Sequence, residues 1–232
     1  VFYHAALIMR RGDVRPSVGS VAIKVDDLRL RNTEAMDLIA EHTRLGTEYE
    51  GVPAKSARTH LGYNDPAPID AAAREVTSDT GELYRNWGRE YGLIDTPRSQ
   101  VVYGFVGRNS PLKTTDLKVD ARTDFAVVAL SSLTDAPITE SDNLLLSTIG
   151  RARNTGEKRQ DGQIVDFGTC PILAEVFETG GSIRTSVPNL IVWAINAEGF
   201  YVGRVPATYA DGVLTFRLGE VFPSIYYLIR TE

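Results

Sequence analysis

From about residue 76 to the end of the chain, apolar runs of a few residues recur with glycine-bearing turns between them. Strands this short, joined this tightly and without helices between them, bury their apolar sides by pairing into antiparallel sheets that pack face to face. Four turn signals carry the pattern. Gln160-Asp161-Gly162-Gln163, Thr179-Gly180-Gly181-Ser182 and Ala210-Asp211-Gly212-Val213 each offer residues that tolerate the positive φ of a tight hairpin. Asn196-Ala197-Glu198-Gly199 is the fourth. In residues 213–218 (VLTFRL), Leu214, Phe216 and Leu218 share one face, and Thr215 and Arg217 share the other, as in a half-buried strand. Residues 190–195 (LIVWAI) and 125–130 (FAVVAL) are apolar on both faces and are expected in central strands. The expected fold class is therefore all-β: an antiparallel β-sandwich.

The first third reads differently. Asn32 is placed to cap a helix in which Ala35, Leu38, Ile39 and Leu45 follow helical spacing, and Gly46 is placed to end it. Residues 63–73, with Pro66 and Pro68, read as a loop. The expected organisation is an N-terminal segment with one short helix, residues 1–75, and a sandwich over residues 76–232. Residues 1–9 (VFYHAALIM) are too apolar to stay in water and are expected to be extended, adding a strand to the sandwich or docking on it.

Composition narrows the function classes. Hydrophobic residues make up 43% of the 232, enough for a core and against disorder. The net charge of −5 is spread along the chain, without the clustered cations that nucleic acid or an anionic membrane requires. No apolar run approaches membrane-spanning length. The basic pair Arg10-Arg11 follows the apolar stretch, the reverse of the order in a signal peptide. Cys170 is alone, so no internal disulfide forms, and His4, His42 and His60 are too scattered for a zinc cluster. Neither a glycine-rich phosphate loop nor a G-x-S-x-G elbow occurs.

Five blocks carry a resemblance. They are residues 3–14 (YHAALIMRRGDV), residues 78–87 (SDTGELYRNW) with 93–100 (LIDTPRSQ), residues 101–107 (VVYGFVG), residues 141–156 (SDNLLLSTIGRARNTG), and the closing strands from Asn189. In this order the chain resembles the C-terminal β-sandwich accessory region of a cellulase-like bacterial (β/α)-barrel glycoside hydrolase. The resemblance implies that catalysis belongs to an upstream barrel of the same polypeptide and that no catalytic residue lies in this chain. It also implies a polysaccharide or oligosaccharide as the outside partner, and a secreted or cell-surface enzyme. The alternatives are an autonomous carbohydrate-binding module for a plant-type β-glycan, and a hydrolase active in this chain.

Sugars are held by stacking their apolar faces on flat rings with polar groups at the rim. Tyr84, Trp87 and Tyr91 lie within eight residues near a turn at Gly88, with Arg89 beside them, and form the candidate carbohydrate site. The competing reading packs Trp87 at the sandwich edge or against the upstream barrel. Trp193, in a doubly apolar run, reads as core, as does one of the adjoining Tyr226 and Tyr227. Glycosidase chemistry needs two facing carboxylates. Asp79, Glu82 and Asp95 are the acids of the distinctive motif, and Asp79 and Glu82 read better as caps of backbone N–H groups. Asp135, Glu140 and Asp142 are oxygen ligands that a structural calcium ion would use, though at no defined loop spacing. Arg11-Gly12-Asp13 has the composition of an adhesion tripeptide, but its place inside a family-like block argues for a role in the chain's own structure.

Overall fold

The computed structural model describes residues 2–25, 33–49, 59–61 and 70–232. They form a mostly-β chain with large antiparallel sheets and a short N-terminal helix, as expected for a sandwich. The chain divides into two compact units: residues 1–13 with 95–232, and residues 14–94. The expected break near residue 75 falls inside the second of these.

The N-terminal segment docks, but as a helix rather than extended chain. Helix α1 spans Phe2–Arg11. Ala, Leu, Met and Arg favour helix, and the basic pair in its last turn suits the negative end of its dipole. Gly12, at φ 62°, ends it, and the Asp13 N–H returns to the Ile8 carbonyl at 3.0 Å in a Schellman motif. His4, Ile8 and Arg11 fall on one face by the 3.6-residue period. A run of apolar residues does not by itself distinguish that period from a strand's.

In the unit of residues 14–94, β1 (Ser20–Val25), helix α2 (Thr33–His42), β2 (Arg44–Tyr49) and β3 (Thr59–Leu61) follow in order. The three strands pair in parallel in the order β2-β1-β3. This strand–helix–strand arrangement was not anticipated. Leu45 and Gly46 lie in β2 instead of closing the helix. The last helical bond is Thr43 N–H to Ile39 C=O, and Asp79 accepts the Thr43 hydroxyl at 2.9 Å, which holds the chain where it turns into β2. Leu38 and Ile39 are buried. Asn32 and most of the 63–73 loop lie outside the described residues. Strands β4 (Glu75–Thr77), β5 (Leu83–Asn86) and β6 (Tyr91–Asp95) form an antiparallel meander.

The other unit is the sandwich. Its strands are β7 (Ser99–Gly104), β8 (Leu112–Lys113), β9 (Leu117–Ala121), β10 (Ala126–Ser132) and β11 (Asn143–Ile149), then an arm made of β12 (Ala152–Thr155), β13 (Lys158–Gln160), β14 (Gln163–Asp166) and β15 (Thr169–Ala174). The closing strands are β16 (Thr179–Arg184), β17 (Ile191–Ile195), β18 (Tyr201–Val205), β19 (Ala207–Ala210), β20 (Val213–Leu218) and β21 (Tyr226–Arg230). One sheet runs β18-β17-β21-β11-β10-β7 and the other β19-β20-β16-β9-β8. Leu130, Leu144, Leu146, Val192, Tyr227 and Ile229 of the first sheet, and Leu117, Ile183, Leu214 and Leu218 of the second, are fully or almost fully buried.

Most strand expectations hold. β10 and β17 are interior strands, and β20 buries Leu214, Phe216 and Leu218 while exposing Thr215 and Arg217. Asp161-Gly162 and Asp211-Gly212 turn their hairpins with both residues at positive φ. The Asn196–Gly199 turn closes with the Asn196 N–H on Phe200 C=O. Two expectations fail. Thr179 to Ser182 is not a turn but part of β16, an interior strand between β20 and β9. Gly181 lies there because a Cβ at that position would meet the Phe216 ring at 2.6 Å. Trp193 is half-buried, not core, and sets its ring edge-on to Tyr201 at 5.2 Å.

Candidate functional site

The antiparallel meander of β4, β5 and β6 brings part of the expected aromatic site together. Register places Glu75 opposite Asn86, and Asn86 opposite Tyr91, with Tyr84 two residues along β5. Period two therefore gives Glu75, Tyr84, Asn86 and Tyr91 one common sheet face. Val76, on the alternate face, is buried, and Arg85 on that face pairs with Glu41 of α2. The Tyr84 and Tyr91 rings lie 5.7 Å apart and tilted by 49°, so they form a shallow notch and not one flat platform. The Arg89 guanidinium stands 5.6 Å from the Tyr91 ring centre, within cation–π range. Trp87 is outside this ring pair. It sits half-exposed in the turn after β5, with its N–H on Arg74 C=O at 3.0 Å.

Glu75 and Asn86 complete the notch, and sequence reasoning passed over both. The Tyr84 hydroxyl donates to Glu75 Oε2 at 2.6 Å, and Asn86 Nδ2 donates to the same oxygen at 2.9 Å. Asn86 Oδ1 accepts the Arg89 N–H at 2.7 Å and shapes the turn. Burial, and then the Glu75 carboxylate, push the Tyr84 hydroxyl above its ordinary pKa, so it remains a donor. The signal that would have found these two is the alternation of β5 combined with the register of its neighbours. The second of these is not a local property.

The acids of the 78–95 motif are occupied elsewhere. Asp79 Oδ2 accepts the Ser17 hydroxyl at 2.6 Å, the Gly19 N–H at 2.7 Å and the Thr43 hydroxyl. These bonds, Ser17's foremost, hold its carboxyl well below the usual carboxylate range. Glu82 takes the Arg15 N–H at 2.8 Å and Arg15 Nε at 2.7 Å. Asp95 accepts both the N–H and the hydroxyl of Thr115. The expectation that Asp79 and Glu82 hold backbone N–H groups agrees with these contacts, though the groups they hold are distant in sequence.

Arg11 and Asp13 are not displayed. The Asp13 side chain has no exposed surface, and it meets Arg11 Nη2 at 2.6 Å and Arg98 Nη2 at 2.9 Å. From Asp13 a chain of hydrogen bonds runs inward. The Ser99 hydroxyl donates to Asp13 at 2.9 Å, Ser131 donates to Ser99 at 2.8 Å, and His4 Nδ1 therefore donates to Ser131 at 2.8 Å. His4 Nε2 is left unprotonated and buried. Burial, chiefly, lowers the His4 pKa to about 4. Asp, Ser and His are all present, but two serines separate the acid from the imidazole and Ser99 and Ser131 are fully buried. The group is an internal latch between α1 and the sandwich, not a nucleophile with its base.

Among the described residues no group of three or more His, Cys, Asp or Glu is placed to hold a metal, so Asp135, Glu140 and Asp142 do not converge as calcium ligands. Cys170 is free and exposed. No described helix is long and apolar enough to cross a membrane. Comparison of the chain with protein-family models, curated proteins and solved structures returns no match.

Proposed function

We propose that this chain is a non-catalytic accessory region of a glycoside hydrolase, one that supports an upstream catalytic barrel and offers a small carbohydrate contact of its own. The observation that carries the first part is the commitment of Asp79, Glu82 and Asp95, each of which already holds donors from other segments of the chain. A glycosidase acid must instead be free to give a proton to the departing oxygen. Motif acids used as struts suit a scaffold.

The second part is supported by the notch of Tyr84, Tyr91, Asn86 and Glu75. A sugar ring set edge-on between the two tyrosines covers its apolar C–H groups, and Glu75 Oε1 remains as an acceptor for a hydroxyl. Arg89 stands against Tyr91, and Trp87 extends the contact at the turn. The tilt of the rings limits the ligand to one or two sugar units, so affinity is weak, on the order of 0.1–1 mM.

The test is titration calorimetry of the pure chain against β-glucan, xylan and mannan oligosaccharides, with a reducing-sugar assay on the same panel. Weak binding lost in Tyr91→Ala, without sugar release, is the expected result. Release of reducing sugar that disappears in Glu82→Gln would overturn the scaffold reading. Binding that survives both Tyr91→Ala and Trp87→Ala would remove the site from this face.

A further inference from the structure

The arm between β11 and β16 carries an open pocket of about 340 Å³ at its base, within the range that holds a single small ligand. It is lined by residues of the β12–β15 ribbon, where Arg153 lies directly opposite Leu173, and by Glu157 and Glu175 beside it. A bulge after Asn154 re-aims the chain there, and the arm is tied by Asn154 Nδ2 to Phe167 C=O at 2.8 Å and by the Thr155 hydroxyl to Pro171 C=O at 2.7 Å. Four charged side chains line the pocket, and three have partners. Arg151 lies 3.6 Å from Asp124, Glu157 takes Arg159 Nε at 2.8 Å, and Glu175 takes the Arg151 N–H at 3.1 Å. The Arg159 contact, chiefly, lowers the Glu157 pKa and keeps it ionised, the opposite of what a proton donor needs.

Arg153 is different. Its side chain is exposed and makes no hydrogen bond or ion pair with a described residue, although Glu157 feels its charge. Its guanidinium is a planar fork matched to a carboxylate, and the apolar Leu173 stands beside it across the ribbon. Asn154 gives its amide N–H to Phe167 and keeps Oδ1 as an acceptor. An anion fork, an apolar wall and one hydroxyl acceptor complement the carboxylate, ring face and hydroxyl of a sugar that carries an acid group.

We propose that this pocket is a second ligand site, for a uronic-acid residue, with Arg153 binding the carboxylate, Leu173 the apolar ring face and Asn154 a hydroxyl. The sugar half of this assignment rests on the carbohydrate reading above; the carboxylate half does not.

Chemical-shift titration of the isotope-labelled chain with glucuronate, its methyl ester, glucose and acetate tests it. Glucuronate is expected to shift amides of β12 and β15, the ester and glucose at least about tenfold more weakly, as loss of a charge-assisted pair implies. Arg153→Gln, an exposed change whose fold is checked by its melting curve, is expected to lose that preference, whereas Tyr91→Ala keeps it. Glucuronate shifts elsewhere, or unchanged in Arg153→Gln, would overturn the site. Acetate binding as tightly as glucuronate would overturn the sugar half alone. Loss of neutral oligosaccharide binding on the Tyr84–Tyr91 face, with the pocket still titrating, counts against the other site and leaves this one standing.

Discussion

Asp13 is the residue whose removal is expected to cost most. Its carboxylate has no exposed surface, faces Arg11 and Arg98, and accepts the Ser99 hydroxyl. Asp13→Ala leaves two guanidinium groups facing each other without an anion. The expected loss is about 3–5 kcal/mol, read as a lower urea midpoint, and a loss below about 1 kcal/mol would place the pair among weak surface bridges. His4 adds a pH dependence. Its pKa is about 4 in the fold against 6.5 in the unfolded chain, so between these values the unfolded state binds more protons. Stability from His4 is complete above pH 6.5, falls as pH drops through that window, and levels off below pH 4. The ceiling is about 3 kcal/mol for a shift of this size. Carboxylates titrate in the same region, so the measurement is the difference between wild type and His4→Gln from pH 7 to 4. A difference that does not change with pH would refute the assignment.

At the scale of elements, β16 shows how a glycine pair can mean two things. Gly180-Gly181 has the composition of a hairpin turn, yet it lies within a strand, with Gly181 under a neighbouring ring. Gly181→Ala is expected to destabilise by about 1–3 kcal/mol, because its Cβ would stand 2.6 Å from Phe216, itself too buried to swing away. Gly180→Ala meets nothing closer than 3.7 Å and is expected to be neutral or mildly stabilising, since alanine has less chain entropy to lose. Equal effects at the two positions in thermal unfolding would mean that the pair acts through backbone freedom and not through the contact. Helix α1 makes the same point, because its sequence serves a helix or a strand and the Schellman motif at Gly12 with the latch at Asp13 decides between them.

At the scale of the whole molecule, the arm of β12–β15 stands apart from the sandwich core. All but one of its strand residues are exposed, and Ile164, Val165, Phe167, Ile172 and Leu173 face solvent. Its ends are already joined, since the Glu175 N–H donates to Arg151 C=O at 2.8 Å. Replacing residues 152–174 with a short Gly-Ser turn is therefore expected to move the melting temperature by no more than a few degrees, the size of a change of about 1 kcal/mol. It should also abolish glucuronate shifts while sparing the Tyr84–Tyr91 face. A collapse of the melting transition would show that the arm belongs to the folding core.

What the sequence determined by itself are the properties that a few adjacent residues settle. The alternation of β20, the two-sided burial of β10, and the positive-φ turns at Asp161-Gly162 and Asp211-Gly212 depend on period and backbone sterics, and all were legible. So was the lone thiol of Cys170. What only the tertiary structure decided are the partners. Asp79 meets Ser17 across 62 positions, His4 meets Ser131 across 127, and Glu75 joins Tyr84 and Asn86 through register. No local pattern encodes these contacts, because a side chain's role follows from which distant donor or ring is brought to it. The same aspartate types that a glycosidase would use as acids became struts, and the tripeptide that could have faced a receptor became a buried latch.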